Sequence, residues 1–263
     1  MSEWTPATPF YFVAVHGGAG YHPPSSDSST RRSLRTAVSS ALTTLTTASQ
    51  SDSGSRDAGT ALDTATSLIA ALEDTPEFNA GYGSNLTFDG DVECDAALMS
   101  GGGGDNDGCY AFGAVGAVRG VRNPVFLARC VLDARRQQPG LGRVPPLLLV
   151  GEGAVRFAAE RGVVQEPAEM VAPRARREWE VWRERWDVHE EEERRERSSR
   201  CGSDEADSEL RGVGFGAGAG ADDLAMLRAR QDTVGSVVIQ GDAGDVAAGV
   251  SRCVCVLFQE LKA

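Results

Sequence analysis

The stretch "RQDTVGSVVIQGDAGDVAAGVS" (residues 230–251) holds two strand-like runs, "TVGSVVI" (233–239) and "DVAAGVS" (245–251), on either side of a glycine-bearing turn. Runs of this kind read as paired strands. What opens the first run is unusual: Asp232 stands directly before Thr233. Upstream, from Ser198 to Asp223, the chain is polar and then Gly/Ala-rich ("GVGFGAGAGADD"), with no apolar periodicity. This predicts an accessible linker. A threonine hydroxyl is a poor nucleophile until a base takes its proton, and a free α-amine with a pKa of about 8 can do so at neutral pH. Thr233 is internal, so that amine has to be released by cleavage after Asp232. On these residues alone two readings stand: a plain β-hairpin with a polar start, or a junction cut to expose an N-terminal nucleophile.

Outward from this hairpin, "FYFVAV" (10–15) predicts a buried strand that feeds the glycine loop "HGGAG" (16–20). Leu34, Val38, Leu42 and Leu45 place an apolar face on a helix over 31–48. A second helix at about 58–73 turns Ala61, Ala65, Leu68, Ile69 and Leu72 inward. "VECDAALM" (92–99) and "AFGAVGAV" (111–118) predict short strands, and "NPVFLARCVLDARR" (123–136) a helix that begins at Pro124. "GEGAVRFAAERG" (151–162) predicts a further helix. Residues 174–197 form a long charged helix whose Trp179, Trp182 and Trp186 share one docking face, with "HEEEERRER" as a solvated end laced by i,i+4 pairs.

With 263 residues, 41% hydrophobic and 24% charged, the chain suits a soluble globular protein with a sizeable core. A net charge of -12 argues against a general nucleic-acid surface. The six cysteines form no CxxC pair, and His16, His22 and His189 are scattered. Reduced thiols in an intracellular protein, cytoplasmic or nuclear, are the expectation, with no metal site. No secretory leader and no apolar run of bilayer length is visible. The sequence lacks GxxxxGK[ST] and GxSxG, so neither a P-loop nor a serine-hydrolase elbow is expected, and no cofactor is implied.

"HGGAGYH" (16–22), "FNAGYGSNLTFDGDVECDAALMSG" (78–101), "GAVGAVRGVRNP" (113–124), "GRVPPLLLVGEGAVRFAAERG" (142–162) and "DTVGSVVI" (232–239), taken in order, resemble the plant-type asparaginase family of N-terminal-nucleophile hydrolases. The GYGSNL and VECDA forms and the GRVPP–LVGEGA block resemble its threonine aspartase branch in particular. The resemblance implies an α+β fold, a four-layer αββα sandwich, with residues 1–232 as α-subunit, a flexible linker at about 198–223, and residues 233–263 as the start of a β-subunit. It implies Thr233 as nucleophile of both self-cleavage and catalysis, with Asp232 supplying the carbonyl that is attacked. Asn79 matches an oxyanion-steadying position, against the simpler reading of a turn asparagine. Gly17 and Gly18 match a loop lying against the scissile bond, Gly235 leaves room beside the nucleophile, and Ser251 holds a supporting hydroxyl.

The implied activity is an endopeptidase cutting proteins or peptides after Asp; the alternative is an asparaginase or isoaspartyl peptidase, and a third reading is a non-catalytic unprocessed form. A homodimer, or an α/β heterotetramer, is the implied assembly, without nucleic-acid or membrane partners. The pattern breaks after Ser251, where Arg252 stands in place of a second hydroxyl and "RCVCVLFQELKA" (252–263) matches nothing in the family. A C-terminal truncation of the sandwich is therefore expected.

Overall fold

The computed structural model describes residues 11–18, 24–50, 61–101, 111–136, 141–163, 170–200, 233–240 and 245–253. Its centre is one six-stranded mixed sheet in the order β1-β5-β6-β2-β3-β4. The strands are β1 (Tyr11–His16), β2 (Cys94–Gly101), β3 (Ala111–Val118), β4 (Leu148–Val150), β5 (Thr233–Gln240) and β6 (Asp245–Cys253). All neighbours run antiparallel except β3 and β4, which are parallel. The hairpin expected at 233–251 is thus real. It lies inside the sheet, where β5 bonds to β1 on one side and β6 bonds to β2 on the other.

The helices are α1 (Asp27–Gln50), α2 (Ala61–Glu73), α3 (Pro124–Arg136), α4 (Gly151–Ala159) and α5 (Pro173–Arg200). Strand alternation sends Val234, Ser236 and Val238 to the buried side of β5, and Cys94, Ala96 and Leu98 to the buried side of β2. There they meet α2 and α3: Ser236 Oγ donates to the Ala65 carbonyl at 3.3 Å, and a Cβ on Gly249 would sit 3.3 Å from Ile69. α2 inserts all five residues expected inward, Ala61, Ala65, Leu68, Ile69 and Leu72. α1 is rotated from its expected face. Ala37, Ala41 and Leu45 are buried while Leu42 is 38% exposed, because alanines at spacing four let the helix approach more closely than a leucine row would.

The register places Phe12, Val237, Val250, Met99 and Phe112 on the opposite side of the sheet, and each is at least 38% exposed. Among the described residues this face carries no second sheet. The expected four-layer sandwich is therefore represented by one sheet with helices packed on one face. β4 was not anticipated: with only Leu148–Val150 it is too short to show a period of two.

α5 docks by its tryptophan face, as expected. Trp179 Nε1–H donates to the Phe88 carbonyl at 3.2 Å, its ring lies over Gly90, and Trp186 meets Phe88 edge-on with centroids 5.6 Å apart. Arg174 secures the start of the helix by donating to the Gly83 carbonyl at 2.6 Å and to Asn85 Oδ1 at 3.2 Å. Beyond Val188 the helix is held by i,i+4 pairs such as His189–Glu193 and Glu193–Arg197. The linker expected at 198–223 falls, past Arg200, outside the described residues. No described helix is long and apolar enough to cross a membrane.

Two substitutions test this packing. Gly113→Ala would put a Cβ 2.3 Å from the Leu132 backbone nitrogen and 2.5 Å from the Ala128 carbonyl, so α3 must lift off β3. We expect a loss of about 1–3 kcal/mol in denaturant unfolding. Trp179→Ala should cost about 2–3 kcal/mol, the sum of lost apolar burial and one hydrogen bond.

Candidate active site

Thr233 is the first residue of β5, half-buried, and paired with Arg252 of β6. On its other side, β1 pairs His16 with Gly235. The β1–β5 ladder ends at that pair, and Gly17 and Gly18 follow directly in the chain. The sheet therefore brings together two sequence blocks more than 200 residues apart. Asp232, the other half of the expected scissile bond, lies outside the described residues.

The glycine loop is shaped by close contacts. Gly17 is buried with its Cα against Phe78, where an added Cβ would lie 2.4 Å from ring Cε1. Gly18 N–H donates to His16 Nδ1 at 3.2 Å, which curls the chain back as it leaves β1. Phe78 thus links the glycine loop to the turn that bears Asn79. That turn is tight: Gly81 takes φ 55°, and a side chain there would strike Glu73 Cβ at 2.6 Å. Asn79 is buried, and its Oδ1 accepts the Asn85 N–H at 2.8 Å. The turn-asparagine reading is therefore satisfied by the oxygen of the amide.

Two expected site residues sit differently from the sequence reading. Gly235 does have to be glycine, but the space is taken by His16: a Cβ would lie 2.3 Å from its Nε2. Ser251 pairs with Val234, and both are fully buried on the helix side of the sheet. Thr233 and its neighbours Gly235 and Val237 belong to the other side. Ser251 accordingly lies behind the sheet, because strand alternation separates residues one step out of phase. The structure thus gathers Thr233, Gly17, Gly18, Gly235 and His16 at one end of β1 and β5, with Asn79 joined through Phe78 and Ser251 turned away.

His16 is the residue at this site that the sequence reading passed over. The available signal is its place inside the glycine motif "HGGAG" (16–20).

A family model described as asparaginase matches residues 9–253. Over 111 residues the chain is 45% identical to the isoaspartyl peptidase/L-asparaginase of Rattus norvegicus, covering 42% of this chain and 29% of that protein. It is 34% identical over 168 residues to the isoaspartyl peptidase/L-asparaginase of Xenopus laevis, covering 64% of this chain and 46% of the relative. The plant-type L-asparaginase of Thermococcus kodakarensis is 39% identical over 127 residues, with coverages of 48% and 36%. The chain spans less than half the length of these curated relatives. The family match extends from β1 and its glycine loop to the strand pair headed by Thr233, and the chain belongs to the asparaginase family.

Proposed function

We propose that this chain is a threonine-type N-terminal-nucleophile hydrolase acting on the side-chain amide of asparagine and on isoaspartyl peptide bonds, with Thr233 as nucleophile after cleavage at Asp232–Thr233. The observation that carries this reading is the position of Thr233 at the head of an internal strand, flanked by the glycine loop, in a chain whose relatives are named isoaspartyl peptidase/L-asparaginase.

In the activating step Thr233 Oγ attacks the Asp232 carbonyl and the peptide C–N bond breaks. An ester on Oγ and a free α-amine result. Water hydrolyses the ester and leaves Thr233 as an N-terminus. In turnover the amine takes the hydroxyl proton while Oγ attacks the substrate's side-chain carbonyl. The proton is passed to the departing ammonia or peptide amine, and a second water releases aspartate. Because Asn85 holds Asn79 Oδ1, the amide plane is fixed, and Nδ2 is the side from which a hydrogen bond would be donated to an oxyanion.

A threonine aspartase-like endopeptidase is the second reading, favoured by "GYGSNL" (81–86) and "VECDA" (92–96). Both share the same nucleophile, so substrate separates them. A β-aspartyl dipeptide should be hydrolysed and a peptide with one internal Asp left intact; the reverse selects the endopeptidase.

Intact-mass analysis of purified protein should give two fragments meeting at Asp232/Thr233. Thr233→Ala should yield only the uncut chain of 27.7 kDa and no hydrolysis. An uncut wild type would refute the reading for this chain. Gly17→Ala should fold but push Phe78 aside, slowing self-cleavage on the order of 100-fold, the cost of misplacing a reacting group by about 1 Å.

A further inference from the structure

Behind the sheet, on the side away from Thr233's neighbours, lies a buried polar cluster that the chemistry above does not use. Glu73, the last residue of α2, is fully buried. Its Oε1 accepts the Val125 N–H at 3.2 Å. α3 begins at Pro124, which has no N–H, and the Phe126 N–H goes to the Asn123 carbonyl at 3.0 Å, so Glu73 completes the first turn of that helix. The other oxygen, Oε2, is buried without a hydrogen bond, and so is Ser251 Oγ on β6. Both residues lie on the helix side of the sheet, where α2 packs against β6, and the Ser251 hydroxyl favours the ionised carboxylate without completing a bond of standard geometry.

Among the described residues, no cation is paired with this carboxyl. β2 contributes Cys94, whose Sγ lies 3.2 Å from Ser84 Oγ. Asn123 at the head of α3 donates to the Ala70 carbonyl at 3.2 Å and to Asp74 Oδ1 at 3.3 Å. Arg122 is occupied with Asp74 at 2.7 Å, and Arg129 with Asp63 at 2.6 Å. Burial pushes the Glu73 carboxyl well above the ordinary range. The Cys94 side chain adds to this, while Ser251, the Val125 N–H and Asn123 pull the other way and are outweighed.

We infer that Glu73 is a positioning residue carried as a neutral acid: its Oε1 caps α3 through Val125 while its Oε2–H donates to Ser251 Oγ, tying the ends of α2 and α3 to the strand beside Thr233. One proton then gives each of two orphaned buried atoms the partner the other supplies. Ser251 pairs with Val234, the residue after Thr233, so the tie fixes β6 at the level where β5 starts. The consequence for Thr233 chemistry rests on the reading above; the tie itself does not.

The linkage has a definite sign. A carboxyl whose folded pKa is raised stabilises the fold below its unfolded value, about 4.3, and that contribution is lost as pH rises towards the folded value. Glu73→Gln keeps both an acceptor for Val125 and a donor for Ser251 but cannot ionise. The unfolding constants of wild type and Glu73→Gln should therefore diverge as pH rises above ~4.5, by at most about tenfold per pH unit and only until the folded value is reached, with the variant the more stable at neutral pH. Glu73→Ala should be destabilised at every pH.

The experiment is denaturant unfolding of the full chain from pH 4.5 to 8 for wild type, Glu73→Gln, Ser251→Ala and the double variant, with self-cleavage followed by mass in parallel. Parallel pH profiles for wild type and Glu73→Gln would overturn the tie, as would failure of the glutamine variant to fold. Additive effects of Glu73→Gln and Ser251→Ala would overturn the Ser251 partnership. Divergent profiles with coupling between the two sites, in a wild type that never cuts itself, would establish the tie and refute the nucleophile reading. Where wild type does cut itself, self-cleavage should persist in Glu73→Gln and fall in Glu73→Ala.

Discussion

The architecture depends on β5 being an internal strand. Its two ladders join β1, from the start of the chain, to β6 and through it to β2. Without β5, β1 has no partner in the sheet, and the glycine loop that follows β1 has nothing to be held against. Each of the other placements follows from this insertion. Gly17 closes on Phe78, His16 spreads over Gly235, and Thr233 stands at the start of the strand, paired with Arg252 of β6. The self-cleavage proposed for Thr233 would need that rigidity more than any single neighbour.

The packing explains why so many small residues sit here. Gly113 lets α3 approach β3, Gly249 makes room for Leu98 and Ile69, and the alanines of α1 and α2 bring the helices down onto the sheet. The opposite face is larger in side chain and exposed, with Phe12, Met99 and Phe112 along it. The sheet thus has a tight side and an open side, and Thr233 belongs to the open one.

Much of this was legible in the sequence, for reasons that can be located. α2 and α3 carry their apolar residues at helical spacing, and Pro124 marks the α3 start; both were read correctly. β3 and β5 alternate clearly enough to fix their starts. In α1 the leucine spacing points Leu42 inward, but the alanine row sets the packed face and Ala41 is buried instead. For Ser251, the hydroxyl was visible but its side of the sheet was not. The facing depends on the register with Val234, which the residues of the turn determine and a linear pattern does not. Glu73 was the least visible of all. A glutamate at the end of a helix, before "DTP", looks like a solvated residue, and only the three-dimensional approach of α3 and β6 encloses it.

The pairing of β1 with β5 also has a temporal side. A newly made chain exposes Tyr11–His16 first, yet the strand that pairs with it emerges more than 200 residues later. At roughly 5–20 residues per second of synthesis, the first strand waits on the order of ten seconds or more for its partner. Contacts this distant along the chain also form slowly, since a long loop must close before they contribute. The site at Thr233 therefore cannot assemble on a partial chain. On the reading proposed for Thr233, the order of synthesis itself delays its hydroxyl from acting until the sheet around it is built.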